Sequence, residues 1–337
     1  MAPADLTTGT GTPARLETRF TRKFGLDTPI MGAPMDPASG SALAQAVSDA
    51  GGLGMVGGGY GDRVWLEEQL SGVKQGTTGT GFITWSMAKQ PELLTIALSR
   101  RPKALMLSFA DPMPFAQEIH DAGVPMICQT QRLEHVKRAV EAGATVVVAQ
   151  GEEAGGHGII GRSTLGFVPA AADWLAANSP ETILLAAGGI ADGRGLAAAL
   201  MLGADGVLVG TRFWATQEAL IHPGAKQRVL TATGDETVRT TVYDIVRGKD
   251  WPQPYNGRLM SNPFIETWHG REDALKDELP ERVAAYEAAS ADGDFDIANV
   301  TVGEAIGIIR DIPPAAEVVD RMTKEALHLL GGGWSTL

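Results

Sequence analysis

Apolar and polar positions along the chain recur in one order, an amphipathic helix followed by a short apolar strand. In SALAQAVSDA, the residues Leu43, Ala46, Val47 and Ala50 fall on one helical face, and the apolar run LGMV follows them. The same order returns in RAVEAGATVVVAQG, EIHDAGVPMICQ and LAAALMLGADGVLVG. Self-similarity of this kind predicts a repeated helix–strand unit.

Apolar runs alternating with helical segments predict eight strands. Strands this apolar are typical of a parallel sheet that is buried on both faces. Eight of them within about 200 residues favour an α/β fold of the (β/α)8 TIM barrel type over an open doubly wound sheet, which is the alternative. The predicted strands span 28–34, 53–58, 78–84, 103–109, 124–129, 144–150, 182–189 and 206–211.

A G-x-G-x-x-G pattern at Gly52, Gly54 and Gly57 raises the alternative of a dinucleotide-binding turn. That turn follows a strand, opens a helix and needs an acidic residue about 20 positions later. Here the helix precedes the glycines, and no acidic residue occurs over 72–81. We therefore interpret the glycines as a helix end and a loop at the mouth of the barrel, where a ligand can approach the backbone.

Composition narrows the class of protein. The chain has 337 residues, 44% of them hydrophobic, and a net charge of −12. Such an acidic chain lacks the basic stripe of a nucleic-acid reader. One cysteine, the absence of a long apolar run and an N-terminus without a secretory pattern predict a soluble, cytoplasmic protein that does not enter membranes.

The helix–strand rhythm ends near residue 214, which suggests a division of the chain. We predict a mobile arm over 1–15 and the barrel over 16–222. A mainly helical region over 223–312 is expected to cover the barrel mouth, and a C-terminal helix within 313–337 is expected to pack back on the barrel.

Glycine pairs follow the last two predicted strands. In barrels, the loops after strands 7 and 8 commonly hold phosphate through backbone N–H groups and a helix N-terminus. Gly188 and Gly189, and likewise Gly210 and Thr211, stand there, each at the start of a predicted helix. The alternative is that these glycines only permit tight turns. Phosphate binding is the favoured interpretation.

The segment QGEEAGGHG after strand 6 carries the strongest candidate chemistry. Gln150 ends the strand, and its amide can donate to and accept from a flat heteroaromatic ring. Gly155 and Gly156 leave space, and His157 follows on a predicted loop. Imidazole titrates near neutral pH, so His157 can serve as a general base or hold an anion. Its position at the mouth favours this function over simple packing.

Other reactive residue types indicate packing. No spacing of Cys, His or carboxylate residues suggests a metal site. Cys128 lies inside a predicted strand, where an inert buried thiol is expected. Trp85 follows strand 3 and is interpreted as packing, with a pocket wall as the alternative. No role is assigned to the five remaining histidines, His120, His135, His222, His269 and His328.

The segments GAPM, AVSDAGGLGMVGGG, QGEEAGGHG and AAGGIADGRGLAAALMLGADGVLVGTRF together resemble the nitronate monooxygenase family, formerly called 2-nitropropane dioxygenases. The resemblance runs over about residues 25–225. It implies a barrel that binds FMN without a covalent bond, with His157 as the catalytic histidine. It departs from bacterial members at the end of strand 3, where Thr84 and Trp85 replace an asparagine. This departure and VYDIVRGKDWPQPYNGR are similar to a divergent branch that also occurs in fungi.

The resemblance and the strand-end positions together define a candidate FMN site. The loop at 33–35 matches the one that lies against the flavin in the family. Gln150, Gly155, Gly189 and the run 208–211 match positions that contact FMN. The full candidate set is Ala33, Pro34, Met35, Thr84, Gln129, Gln150, Gly155, Gly156, Gly188, Gly189, Leu208, Val209, Gly210 and Thr211.

The resemblance implies oxidation of alkyl nitronates by O2 to a carbonyl compound and nitrite. It leaves open whether neutral nitroalkanes are also substrates. Related flavin barrels with a GGH motif keep a second hypothesis open, a reductase that passes hydride from NAD(P)H to a quinone or an enoyl thioester. A third is a non-enzymatic barrel that binds a phosphorylated ligand. A small-molecule substrate is expected in the enzymatic cases, and a homodimer is compatible with each.

Overall fold

The computed structural model describes residues 15–333. The predicted mobile arm over 1–15 therefore lies outside the described residues, except for its last position. Within the described part of the chain, no helix has both the length and the apolar character needed to cross a membrane.

Eight parallel strands form the central sheet, as predicted. Along the sheet the order is β1-β9-β8-β6-β5-β4-β3-β2, and a bridge between Met31 and Leu53 joins its two ends into a barrel. The (β/α)8 fold is confirmed. The strands are β1 (Ile30–Gly32), β2 (Met55–Gly57), β3 (Gly79–Ile83), β4 (Leu105–Ser108), β5 (Met126–Thr130), β6 (Val146–Gln150), β8 (Ile183–Ala187) and β9 (Gly206–Val209).

Alternation along the strands divides the core into two layers. Successive side chains point to opposite faces, so Leu208 packs inside the barrel and Val209 packs against the surrounding helices. The interior layer includes Met31, Met106 and Val148, all of them fully buried. Burial on both faces explains why these strands are continuous apolar runs in the sequence.

Helices surround the barrel and cover its two ends. Most of the barrel helices are followed by glycine or alanine before the next strand, in agreement with the predicted unit. The helices are α1 (Arg19–Phe24), α2 (Ser41–Asp49), α3 (Arg63–Ser71), α4 (Thr84–Met87), α5 (Glu92–Ser99), α6 (Met113–Asp121), α7 (Leu133–Glu141), α8 (Thr164–Asn178), α9 (Gly193–Met201), α10 (Thr211–Trp214), α11 (Pro223–Thr231), α12 (Val242–Val246), α13 (Pro263–Trp268), α14 (Glu272–Asp277), α15 (Leu279–Asp292) and α16 (Ala315–Leu330), with 3-10 turns at Gly234–Glu236 and Glu304–Ile308.

Helix α1 closes the bottom of the barrel, opposite the mouth. Phe20 and Phe24 belong to the interior cluster. Arg19 donates two hydrogen bonds to Asp205, at 2.8 and 2.7 Å, and thereby ties α1 to the start of β9. A bidentate pair of this kind fixes orientation as well as distance. The bottom of the barrel is therefore closed, and ligands enter from the other end.

The region after α10 is helical with one important exception. Strands β10 (Thr237–Thr240) and β11 (Asn256–Met260) form an antiparallel pair, and β7 (Gly156–Gly158) pairs with β11. The predicted loop that carries His157 is thus a strand. The region predicted only as mainly helical supplies its partner, β11, which also pairs with β10. The sequence pattern did not predict β7 and β10, because these strands are short and only partly buried.

The last helix returns to the outer face of the barrel. Helix α16 packs on α9 and α2, and its apolar face includes Val319, Met322 and Ala326, which join the helix-facing core. Glu325 accepts a hydrogen bond from the N–H of Gly193, at 2.6 Å, at the start of α9. A carboxylate at a helix N-terminus is electrostatically favourable.

Candidate active site

A deep cavity opens at the carboxyl ends of the barrel strands. The space free of protein atoms in the cavity and in the open solvent at its mouth amounts to about 1400 Å³. Its floor is formed by the residues that end the strands, including Ser108, Gln129, Gln150 and Leu208. Its roof comes from the C-terminal region, including Tyr243 and Trp251. This is the end of the barrel at which chemistry is expected.

Glycine turns line one side of the cavity. Gly188 and Gly189 have φ values of 108° and 70°, a conformation that side chains rarely adopt. The N–H groups of Gly188, Gly189 and Gly210 make no backbone hydrogen bond to another described residue in these turns. They are available to an anionic ligand, as predicted for a phosphate site.

One detail of the predicted phosphate site is wrong. Gly189 does not open a helix, because α9 begins at Gly193 and Asp192 caps it by accepting from the N–H of Gly195 at 3.1 Å. The capping carboxylate displaces the helix start by four positions and occupies the N-terminus itself. Only Gly210 directly precedes a helix, α10, and it has no side-chain cap.

Gly155 allows the C-terminal region to approach the cavity. A Cβ atom at position 155 would lie 2.4 Å from the backbone nitrogen of Gly303. The same Gly303 N–H donates to the hydroxyl of Thr211 at 3.0 Å. A side chain at 155 is thus excluded by backbone on the other side. The glycine joins the loop after β6 to the segment that closes the cavity.

Three glutamine side chains form a network on the floor. The Nε2 groups of Gln129 and Gln131 both donate to Oε1 of Gln150, each at 2.8 Å. Nε2 of Gln150 donates in turn to the carbonyl of His157 at 3.1 Å. Because an amide nitrogen carries two hydrogens, Gln150 keeps one for a ligand. The network fixes the amide that was predicted to face a heteroaromatic ring.

His157 is held by a carboxylate and an indole ring. Its Nε2 lies 2.9 Å from Oδ1 of Asp244, and the two side chains are only 14% and 9% exposed. The imidazole also stacks on Trp251, with ring centroids 3.5 Å apart and planes inclined by 6°. Stacking and the hydrogen bond together leave the ring little freedom to rotate.

Burial lowers the pKa of His157 below its usual value, and this is the largest influence on it. Asp244 opposes the shift through its hydrogen bond and its charge, whereas Arg247 and Arg239 add to it. The imidazole is therefore mainly neutral near pH 7, the state in which one ring nitrogen can accept a proton.

A partly buried arginine supports the strand that carries His157. Arg239 donates to the carbonyl of Glu152 through Nε at 3.0 Å and through a terminal nitrogen at 2.7 Å, and to the carbonyl of Asn256 at 3.0 Å. Burial lowers the pKa of this guanidinium to about 10. Its hydrogen bonds connect β10, β11 and the loop after β6, and thereby position the His157 backbone.

Aromatic side chains surround the imidazole on the mouth side. Phe109 has an unusual φ of 69° for a residue other than glycine, and its ring lies 5.1 Å from that of Trp251. Trp251 donates through Nε1 to the hydroxyl of Tyr60 at 3.0 Å. We call this group the aromatic wall; it comprises Tyr60, Trp85, Phe109, Trp251 and Tyr255. Trp85 packs on Tyr60 and Trp251 and does not itself line the cavity, in agreement with the packing interpretation.

The structure brings most predicted site residues together. His157 and twelve of the cofactor candidates line the same cavity: Ala33, Pro34, Met35, Gln129, Gln150, Gly155, Gly156, Gly188, Gly189, Leu208, Gly210 and Thr211.

Two candidates lie outside the cavity lining. Thr84 is fully buried at the start of α4, and Ile83 before it lines the cavity instead. Val209 faces the helices, since it alternates with Leu208.

Sequence reasoning missed the residues that come from the C-terminal region. Asp244 lies 87 positions from His157, so no local pattern connects them. One signal was present: the run VYDIV places a single acidic residue among apolar ones in α12, and a charge in such a run is seldom buried without a partner. Trp251 and Tyr255 sit in a Pro-rich stretch that gave no period.

The other predictions about reactive residues can be compared with the structure. Cys128 is buried in β5, as expected, and burial raises the pKa of its thiol to about 12. The five other histidines do not line the cavity. Among residues 15–333, no group of three or more His, Cys, Asp and Glu side chains could hold a metal ion.

Several known proteins are similar to this chain. The family described as nitronate monooxygenase matches residues 84–325. The chain is 34% identical to nitronate monooxygenase npaC of Metarhizium robertsii, over 89% of this chain and 91% of that protein. It is 30% identical to a nitronate monooxygenase of Neurospora crassa, over 88% of each. The solved structure of FabK from Thermotoga maritima superposes with a TM-score of 0.81 at 28% identity, covering 95% of this chain and 99% of that one.

These similarities and the site place the chain in the class of barrel oxidoreductases that use a flavin. Within that class, the chain belongs to the nitronate monooxygenase family. The resemblance drawn from the sequence is confirmed, and the family match extends about 100 residues beyond the segment on which it rested, into the region that carries Asp244 and Trp251.

Proposed function

We propose that the protein oxidises alkyl nitronates with O2, using non-covalently bound FMN, and releases a carbonyl compound and nitrite. The observation that carries this proposal is the meeting of His157 with the glycine turns and the Gln150 amide in one cavity at the strand ends. Membership of the family supports the substrate class.

The residues of the cavity fit FMN. The free N–H groups of Gly188, Gly189 and Gly210 suit its phosphate. Because these groups can bind the phosphate, no lysine is needed there, although the chain is acidic. The remaining hydrogen of Gln150 and the backbone over 33–35 suit the edge of a flat ring. When bound, the flavin supplies the electron-accepting chemistry, and the protein supplies placement and electrostatics.

The chain's own groups would bind and orient the substrate. The aromatic wall excludes water on the mouth side of His157, which strengthens any hydrogen bond made there. In its protonated form, the imidazole can donate to a nitronate oxygen while Asp244 accepts from Nε2 on the other side. Charge on the substrate is thus balanced inside the cavity.

Oxygen uptake tests this function directly. The FMN-loaded protein should consume O2 and release nitrite with ethylnitronate or propionate 3-nitronate. His157→Asn should lower kcat/KM for ethylnitronate by about tenfold or more, because one charge-assisted hydrogen bond is lost. A control substitution at His120, which lies outside the cavity, should leave the rate unchanged. No oxygen uptake with either nitronate would disprove the proposed substrate.

The likeness to FabK supports a second candidate, a reductase that takes hydride from NAD(P)H and reduces a quinone or an enoyl thioester. This candidate needs the same flavin cavity but a different electron donor. Steady-state oxidation of NAD(P)H in the presence of either acceptor, without response to nitronates, would favour it. A colourless protein that takes up no FMN would instead favour a non-enzymatic binding role.

A further inference from the structure

Two charged side chains in the cavity have no partner. Among residues 15–333, four side chains that can carry a charge at neutral pH line it: Asp36, His157, Asp244 and Arg247. His157 and Asp244 pair with each other. The carboxylate of Asp36 and the guanidinium of Arg247 make no hydrogen bond or ion pair with any described residue. Binding of FMN by the glycine turns and of a nitronate at His157 leaves both of these charges unused.

Asp36 and Arg247 reach the cavity from different parts of the chain. Asp36 directly follows the loop at 33–35, and Arg247 directly follows α12, which carries Asp244. Burial raises the pKa of Asp36, and Arg247 is the charged group that lowers it most. The charged atoms of the two side chains nevertheless lie more than 4.0 Å apart. They are close enough to act on one ligand and too far apart to pair directly.

The surroundings hold both charges at the cavity. A Cβ atom at Gly59 would lie 2.9 Å from Oδ1 of Asp36, so the glycine leaves room for the carboxylate. The guanidinium of Arg247 stands over the ring of Tyr60, 5.7 Å from its centroid. Both charged side chains are partly buried. A partly buried charge without a partner is unfavourable, and a ligand of opposite charge offsets that penalty.

We propose that Asp36 and Arg247 select nitronates that also carry an amino-acid group, in which a carboxylate and an ammonium group lie side by side. The guanidinium of Arg247 donates to the carboxylate of the substrate, and the ammonium group donates to Asp36, while the nitronate lies at His157. Arginine suits this position because its planar fork matches a carboxylate in two hydrogen bonds. The inference rests on the proposed function, since it names a substrate class for the same site.

Three nitronates of matched chain length test the two contacts separately. The nitronate of α-amino-γ-nitrobutyrate carries both groups, that of γ-nitrobutyrate carries only the carboxylate, and that of 3-nitropropylamine carries only the ammonium group. We expect kcat/KM for the first to exceed that for each of the others by about tenfold or more, since one charge-assisted hydrogen bond is lost each time. Most of the difference should lie in KM, because these groups bind an end of the substrate that does not react.

Two substitutions assign each contact to its residue. Arg247→Gln should reduce kcat/KM, taken relative to ethylnitronate, about tenfold for the two nitronates that carry a carboxylate, and should spare the nitronate of 3-nitropropylamine. Asp36→Asn should reduce this ratio for the two that carry an ammonium group and spare γ-nitrobutyrate. Arg22→Gln and Asp250→Asn remove exposed charges outside the cavity lining and should preserve all three ratios. Equal losses on all three nitronates, or loss of FMN from Asp36→Asn, would overturn the proposal.

A second measurement needs no turnover, and it keeps the proposal testable if a variant does not fold. In glutamate, a carboxylate takes the place of the nitronate group of α-amino-γ-nitrobutyrate, and glutarate and γ-aminobutyrate correspond to the other two nitronates in the same way. Calorimetry with the FMN-loaded wild type should give a Kd for glutamate about tenfold or more below that for either analogue. Asp36→Asn should remove only the advantage of glutamate over glutarate, and Arg247→Gln only its advantage over γ-aminobutyrate.

The two measurements separate this inference from the proposed function. Glutamate that binds no more tightly than glutarate or γ-aminobutyrate would contradict the inference, even in an enzyme that oxidises ethylnitronate. Failure to oxidise ethylnitronate would count against the proposed function, and calorimetry would still decide whether Asp36 and Arg247 bind an amino-acid group.

Discussion

The two walls of the cavity differ in construction: one is built mainly from backbone and the other mainly from side chains. The barrel wall consists of glycine turns and short strand ends, and it offers N–H groups and one amide. The opposite wall, contributed largely by residues 239–257, consists of aromatic and charged side chains that contact His157. The barrel wall suits a cofactor that many enzymes use, and the opposite wall suits a particular substrate. Changes to each wall should therefore have different consequences.

The largest effect is expected at the point where the two walls meet. Gly155→Ala would place a methyl group about where the backbone of Gly303 lies, 2.4 Å from its nitrogen. We expect unfolding to become easier by about 2–4 kcal/mol, because backbone must move, and FMN retention to fall with it. Thermal unfolding and the absorbance of bound flavin measure both quantities.

Gly161→Ala is the matched control for this substitution. Gly161 lies in the same connection between β6 and α8, on the other side of β7, and a Cβ atom there would meet no atom within 4 Å. Its stability and flavin content should equal those of the wild type. Equal behaviour of the two variants would show that the walls do not depend on contact at Gly155.

A smaller effect is expected when only the opposite wall is changed. Trp251→Leu removes the ring stacked at 3.5 Å on His157. An aromatic pair contributes about 0.5–1.5 kcal/mol, so kcat/KM for ethylnitronate should fall by up to about tenfold while FMN stays bound. Stopped-flow kinetics and flavin absorbance separate the two outcomes.

Trp174→Leu controls for loss of a large ring, since Trp174 lies on α8 outside the cavity lining. It should leave kcat/KM unchanged. If Trp251→Leu lost FMN while kcat/KM of the FMN-loaded fraction stayed unchanged, the opposite wall would also hold the cofactor. That result would contradict the proposed difference between the two walls.

The smallest effect is expected at the single cysteine. Cys128 is buried in the barrel, with the pKa of its thiol raised to about 12. The reactive thiolate is thus almost absent at neutral pH. Treatment of the folded enzyme with iodoacetamide should leave Cys128 unmodified and the activity unchanged, as mass spectrometry and oxygen uptake would report. Rapid alkylation of the native protein would show that the barrel opens far more readily than its packing indicates.

The difference between the walls also explains what could be predicted from sequence. The barrel wall follows from local patterns: apolar runs predict strands, strand ends meet at one edge, and glycines mark tight turns. The pairing of His157 with Asp244 depends instead on β7 joining β11, a contact between segments far apart in the chain. Val209 was misplaced because matching a motif does not say which side of the strand a residue faces. The domain boundaries, the homodimer and the cytoplasmic location stay predictions.

Anaerobic mixing tests the central claim most directly, because it asks which molecule delivers electrons to the cavity. The FMN-loaded enzyme is mixed without oxygen with ethylnitronate and, separately, with NADH or NADPH. We predict that ethylnitronate rapidly bleaches the visible flavin absorption and that neither pyridine nucleotide does so at a comparable rate. Rapid bleaching by NADH or NADPH, with no response to ethylnitronate, would contradict the account.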